Sequence, residues 1–116
     1  MKRLLLVDDD LEIAKGLVAL LEDRYAVTRA TTGFEALEAL EHGPFALVLL
    51  DLRMPGLDGR GFLGEMRRRN ENPPVIVLSA DPNVGQAARE MGVGDYLQKP
   101  FDVEALEALI KRRIGV

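Results

Sequence analysis

Phe45-Ala46-Leu47-Val48-Leu49-Leu50-Asp51 carries no charged or hydrogen-bonding side chain until its last position. A strand with one face in water alternates apolar and polar residues, whereas a strand buried on both faces reads as an unbroken apolar run. Residues 45–50 therefore read as a strand covered by helices on both sides, with Asp51 at its carboxyl end. Residues 4–7 and 74–78 have the same character. Tyr25–Ala30 is rich in β-formers, and Asp95–Gln98 is a short fifth candidate.

Between these runs the apolar spacing changes to that of one helix face. Ala14, Leu17, Val18 and Leu21 follow the first run, and Ala36, Leu37 and Leu40 follow the second. Phe62, Leu63 and Met66 follow the third, and Val84, Ala87, Ala88 and Met91 the fourth. Val103, Leu106, Leu109, Ile110 and Ile114 mark the last helix. Thr32 is placed to cap the second helix and Gly43-Pro44 to end it. Met54-Pro55-Gly56 turns the chain before the third, and Gly92 stops the fourth. Five strands alternating with five helices predict an α/β fold. The expected form is a flavodoxin-like, doubly wound (βα)5 three-layer sandwich, with a five-stranded parallel sheet in the order 2-1-3-4-5. No linker or low-complexity tract divides the chain, so residues 1–116 are expected to form one domain.

Composition narrows the function. A content of 47% hydrophobic and 29% charged residues places the chain with globular rather than disordered sequences. A net charge of −4 offers no basic face to nucleic acid or an anionic membrane. The absence of cysteine excludes disulfides, thiolate metal sites and thiol catalysis. The apolar runs are too short to span a bilayer or to serve as a signal peptide, and a cytoplasmic location is the expectation.

In open α/β sheets, ligands bind beyond the carboxyl ends of the strands, near the point where the strand order reverses. The sequence places Asp8-Asp9-Asp10 there after the first strand, Asp51 at the third, Ser79-Ala80 at the fourth and Lys99-Pro100-Phe101 after the fifth. The second strand ends in Ala30-Thr31 at the sheet margin and is expected to contribute nothing. Carboxylates crowded this way repel, so the group needs a cation or shifted pKa values. Oxygen donors suit Mg²⁺, which takes one or two carboxylates and keeps waters that a phosphate can replace. Zinc is disfavoured, because the single histidine, His42, falls before the third strand at the opposite end. A carboxylate can attack phosphorus to form an aspartyl phosphate, a transfer that depends on positioning and charge neutralisation. One of these carboxylates can serve as the nucleophile, with Lys99 to hold a phosphoryl oxygen and Ser79 to hydrogen-bond to one.

Four segments in order resemble the receiver domain of two-component response regulators. They are Leu6-Val7-Asp8-Asp9-Asp10, Asp51-Leu52-Arg53-Met54-Pro55-Gly56-Leu57-Asp58-Gly59, Leu78-Ser79-Ala80 and Gly94-Asp95-Tyr96-Leu97-Gln98-Lys99-Pro100-Phe101. The likeness covers nearly the whole chain. It implies that Asp51 is the phosphoacceptor. Asp9 and Asp51 would ligate Mg²⁺ directly, Asp8 through water and Arg53 through its backbone carbonyl. Lys99 would pair with the phosphoryl group, Ser79 would move toward it and Tyr96 would change rotamer in response. The implied donor is a phosphohistidine on a sensor histidine kinase or phosphotransfer protein. The implied output is a surface of the fourth helix, fifth strand and fifth helix that controls a downstream protein or effector domain. The resemblance implies a monomer or a phosphorylation-dependent homodimer, no direct contact with nucleic acid or membrane, and no catalysis beyond its own phosphorylation and dephosphorylation. Arg53 and Asp81 each stand two residues beyond a site residue, where the family tunes the lifetime of the phosphoryl group. A pair between them would be exposed and weak. No helix-turn-helix or catalytic segment follows Val116, so the output is expected to come from docking or from an effector that a longer regulator carries.

Plainer readings stand beside these. Asp10 is expected to cap the first helix and Asp58 the third. Arg67-Arg68-Arg69 and Lys111-Arg112-Arg113 are expected to complement helix carboxyl ends. Phe34, Phe45 and Phe62 read as core, and Tyr96 as a partly buried strand aromatic. Pro100 restricts Lys99 to extended backbone, and a cis bond there would aim Lys99 at the site. A haloacid-dehalogenase-like phosphohydrolase would use Asp8 and Asp10, but it leaves the Asp51 segment unexplained and 116 residues leave no room for a cap domain. A flavin or nucleotide binder needs a Gly/Ser/Thr-rich phosphate loop after the first strand, where three aspartates would repel a phosphate. A degenerate receiver acting only through protein contacts is opposed by the intact acids, Ser79 and Lys99.

Overall fold

The computed structural model describes residues 1–54 and 56–115. Pro55, part of the expected turn before the third helix, and Val116 lie outside the described residues. Strands and helices alternate as β1 (Lys2–Val7), α1 (Leu11–Leu21), β2 (Tyr25–Ala30), α2 (Gly33–Leu40), β3 (Leu47–Asp51), α3 (Gly59–Arg68), β4 (Val75–Ser79), α4 (Val84–Glu90), β5 (Asp95–Gln98) and α5 (Val103–Ile114). The strands form one parallel sheet in the order β2-β1-β3-β4-β5, as expected.

The apolar runs are explained by use of both strand faces. Leu4, Leu6, Leu47, Leu49, Ile76 and Leu78 point to one side and pack with Ala14, Leu17 and Leu21 of α1 and Leu106 and Ile110 of α5. Leu5, Val7, Val48, Leu50 and Val77 point to the other side and meet Ala36 and Leu40 of α2, Phe62, Leu63 and Met66 of α3, and Val84 and Ala88 of α4. A fully buried leucine in such a layer contributes about 1.5–3 kcal/mol. Register brings the strand ends level: Val7 lies opposite Leu50, Asp51 opposite Leu78, and Ser79 opposite Gln98.

The expected caps are present. The Asp10 carboxylate accepts from the N–H groups of Glu12 at 3.1 Å and Ile13 at 3.2 Å. Thr32 accepts from Glu35 at 3.0 Å, and Asp58 from Gly61 at 2.9 Å. The Lys99–Pro100 bond is cis, as is Gly43–Pro44.

Two expectations are corrected, for Phe34 and for Tyr96. Phe34 is 65% exposed rather than core, while Phe45 and Phe62 are buried. Phe34 stands two residues before Ala36, which on a helix puts it on the opposite face from the buried Ala36 and Leu40. The basic residues stand in the last turns of α3 and α5 as expected, and they also bridge between elements: Arg67 donates to the Met91 and Gly92 carbonyls at the end of α4. Arg68 and Arg69 pair with Glu65. Arg112 and Arg113 both pair with Asp95, an acid only 6% exposed at the start of β5 that needs counter-charge to be buried. Tyr96 is 47% exposed, because β5 is the sheet edge and the short α4 leaves about half of the side chain open.

Candidate functional site

Asp51 ends β3 and is 6% exposed, and Asp8 follows β1 at 1%. Asp9, the next residue, is exposed. Oxygen atoms of these three carboxylates lie within 4.8 Å of one another. Lys99 reaches in from the segment after β5, its ammonium 2.8 Å from the Asp8 carboxylate and 3.5 Å from that of Asp51. Ser79 ends β4 and is 1% exposed. The ends of β1 and β3 and the segment after β5 thus bring Asp8, Asp9, Asp51 and Lys99 together, with Ser79 at the end of the intervening β4.

Backbone contacts hold these groups in place. The Asp8 N–H donates to the Ala30 carbonyl at 3.0 Å, so β2, expected to contribute nothing, anchors the first acid. The Asp8 carboxylate also accepts from the Asp10 N–H at 2.9 Å. The Asp51 carboxylate accepts from the Arg53 N–H at 3.2 Å, which brings the Arg53 backbone beside it. Ser79 has two roles that sequence did not announce. Its carbonyl accepts from the Lys99 N–H at 2.8 Å, and its Oγ accepts from the Asp81 N–H at 3.1 Å. The Arg53–Asp81 pair forms at 2.6 Å, with the Arg53 side chain 74% exposed, and contributes little to stability. Asp10 faces outward and is occupied with capping α1, so it is not the partner acid that a phosphohydrolase would need.

The charges do not balance: three carboxylates face one ammonium. Burial pushes the Asp51 carboxyl up to about 6, and the neighbouring Asp8 adds to the rise; Lys99 and the Arg53 N–H oppose it. Burial alone would lower Lys99, but its hydrogen bond to Asp8 and the charge of Asp51 outweigh that and hold it above the usual lysine value. The cleft is therefore short of positive charge, and its donors are all oxygen. That set fits a hard divalent cation.

Tyr96 is not in this cleft. Its ring lies outside, against α4 at Gly85.

Residues 4–111 match the family described as response regulator receiver domain. The chain belongs to that family. Among curated relatives, the transcriptional regulatory protein QseB of Escherichia coli O157:H7 is 38% identical over 120 residues, covering 97% of this chain and 55% of QseB. The chain spans about half the length of the first curated relatives it matches. The receiver domain of the Francisella response regulator 1452 superposes with a TM-score of 0.89 at 32% identity, covering 98% of this chain and 97% of that one. The Thermotoga maritima response regulator TrrA, solved in complex with Mg²⁺ and beryllofluoride, has a TM-score of 0.85 at 33% identity, covering 97% and 98%. Receiver domains are regulatory phosphoacceptors that bind Mg²⁺ at an acidic pocket and interact with histidine kinases and effector domains. Asp8, Asp9 and Asp51 form such an acidic cluster here. No helix among the described residues is long and apolar enough to cross a membrane.

Proposed function

We propose that residues 1–116 form one receiver domain that takes a phosphoryl group on Asp51 with the help of Mg²⁺. The observation that supports this most is the meeting of three carboxylates within 4.8 Å with the Lys99 ammonium beside them. Asp9 and Asp51 would hold the ion, with Asp8 acting through water and the Arg53 carbonyl completing the set. When bound, the ion neutralises the carboxylates and the phosphoryl oxygens.

Asp51 presents an oxygen to the phosphorus of a phosphohistidine. The new O–P bond forms as the P–N bond breaks, and the imidazole leaves with the bonding pair and takes up a proton. Lys99, now bonded to Asp8, turns its ammonium to a phosphoryl oxygen, and the Ser79 hydroxyl donates to another. Drawing the hydroxyl inward ends its acceptance from the Asp81 N–H, which carries the event to the start of α4. Tyr96 then changes rotamer, and the surface of α4, β5 and α5 passes to the state that binds a downstream protein or effector domain. The donor is a histidine kinase or phosphotransfer protein, and the setting is the cytoplasm.

Incubation with a small acyl phosphate, followed by intact mass, tests this reading. The expected result is a phosphate adduct that requires Mg²⁺ and is absent in Asp51→Asn. A wild type that takes up phosphate neither from this donor nor from any cognate kinase would overturn it.

A further inference from the structure

A cavity of about 260 Å³ opens at the amino end of β4, the end of the sheet opposite Asp51 and Ser79. Leu63 and Met66 of α3 and Val93 line it with apolar surface, and all three are buried in the fold. Arg67 of α3 and Arg113 of α5 line it with charge. Between them runs Gly92-Val93-Gly94, the segment that joins α4 to β5. A Cβ on Gly92 would lie 3.5 Å from Nη2 of Arg67, and one on Gly94 would lie 3.6 Å from Nη2 of Arg113. The two guanidiniums therefore approach backbone positions two residues apart, within reach of one small ligand.

The charge here is the reverse of that around Asp51. Asp95 is 6% exposed, and both its oxygens are taken, one by Arg112 and the other by Arg113. Arg67, Arg112 and Arg113 thus face a single carboxylate, which leaves an excess of positive charge. A guanidinium carries five N–H donors. Arg67 spends donors on the Met91 and Gly92 carbonyls, the second at 3.5 Å. Arg113 gives Nε–H to Asp95, and its terminal nitrogens donate to no acceptor among the described residues. Both arginines keep donors to offer.

We propose that this cavity binds a small organic carboxylate with an apolar body. Arg67 and Arg113 receive the carboxylate, because the guanidinium fork matches its two oxygens. Leu63, Met66 and Val93 receive the body. A cation finds no vacant acid there, since Asp95 is already paired on both oxygens. The volume falls just under the roughly 300–1,000 Å³ of sites for drug-sized ligands, which suits a single-ring or short-chain acid.

Benzoate tests the site, added to ¹⁵N-labelled protein and followed by amide chemical shifts. The expected result is a saturable shift at Gly92, Val93, Gly94 and Asp95, with a Kd on the order of 1 mM. Benzamide keeps the ring without the charge, and inorganic phosphate keeps a charge without the ring. Each is expected to bind at least about tenfold more weakly. Arg113→Gln leaves Arg112 to pair with Asp95 and is expected to weaken benzoate about tenfold. Gly94 has no positive φ, and a Cβ there makes only ordinary contact. Gly94→Val therefore adds bulk to the cavity with both arginines in place, and a similar weakening is expected. Absence of a saturable shift at these amides up to about 20 mM benzoate overturns the site. So does benzamide or phosphate binding as tightly as benzoate, or an unchanged benzoate affinity in a folded Arg113→Gln. If Arg113→Gln loses its amide dispersion, Gly94→Val decides, and unchanged affinity there overturns the site.

Discussion

Asp51 binds its proton more tightly than an ordinary aspartate because burial and Asp8 both penalise its charge. For an acid raised from 3.8 to about 6, the folded metal-free protein gains protons relative to the unfolded chain. The associated stability is fully present below the unfolded value and is lost as pH rises through about 6. Asp51→Asn removes that dependence. In chelator, its stability relative to wild type is expected to improve by about 1–3 kcal/mol between about pH 4 and about pH 7.5. Urea unfolding at the two pH values checks this, and a parallel pH dependence of both proteins would refute it. On the proposed ligation by Asp51, Mg²⁺ would compete with the same proton. Its stabilisation of wild type, read as a rise in the urea midpoint, is expected to weaken as pH falls below about 6.

At the scale of elements, the caps separate structural acids from functional ones. Asp10→Ala removes the acceptor for the Glu12 and Ile13 N–H groups and is expected to cost about 1 kcal/mol. It should leave phosphate uptake from an acyl phosphate intact. Loss of uptake with the fold preserved would return Asp10 to the chemistry and revive the phosphohydrolase reading. The same scale shows where local reading ends. Asp10, Thr32 and Asp58 were legible as caps because a cap and its N–H partners lie within three residues of each other. The Asp95 pairs with Arg112 and Arg113 were not, because their partners lie on two elements that only the packed sheet brings together. A buried-looking acid between Gly94 and Tyr96 was the available signal, and it named no partner.

For the whole molecule, the two-sided core makes a contrast between phenylalanines. Phe62 is fully buried, so Phe62→Ala is expected to cost about 3–5 kcal/mol. Phe34 is 65% exposed, so Phe34→Ala should stay within about 0.5 kcal/mol. Chemical unfolding of the two variants measures the difference, and comparable losses would place Phe34 in the core after all. The sheet order has a consequence as well. With β1 and β3 adjacent, Asp8 and Asp51 are brought into one cleft, and with β5 lying beyond β4, Lys99 reaches it from the other side, its N–H held by the Ser79 carbonyl.

Sequence by itself determined the layered α/β architecture, because a strand buried on both faces must be apolar at every position. It also pointed to Asp8, Asp9, Asp51 and Lys99 as neighbours, because acids and a lysine at adjacent strand ends of a parallel sheet converge on one edge. Only the tertiary structure decided how those groups are held. The Ala30 carbonyl on Asp8, the Lys99 ammonium on Asp8 and the Asp81 N–H on Ser79 depend on strand register and on loops meeting across the sheet edge. It also decided which side of each helix meets water, and so left Phe34 exposed, and which strand lies at the sheet edge, and so left Tyr96 exposed. Periodicity gives a helix its apolar stripe, but which neighbour covers that stripe, and how far, is settled by the lengths and packing of elements distant in the chain.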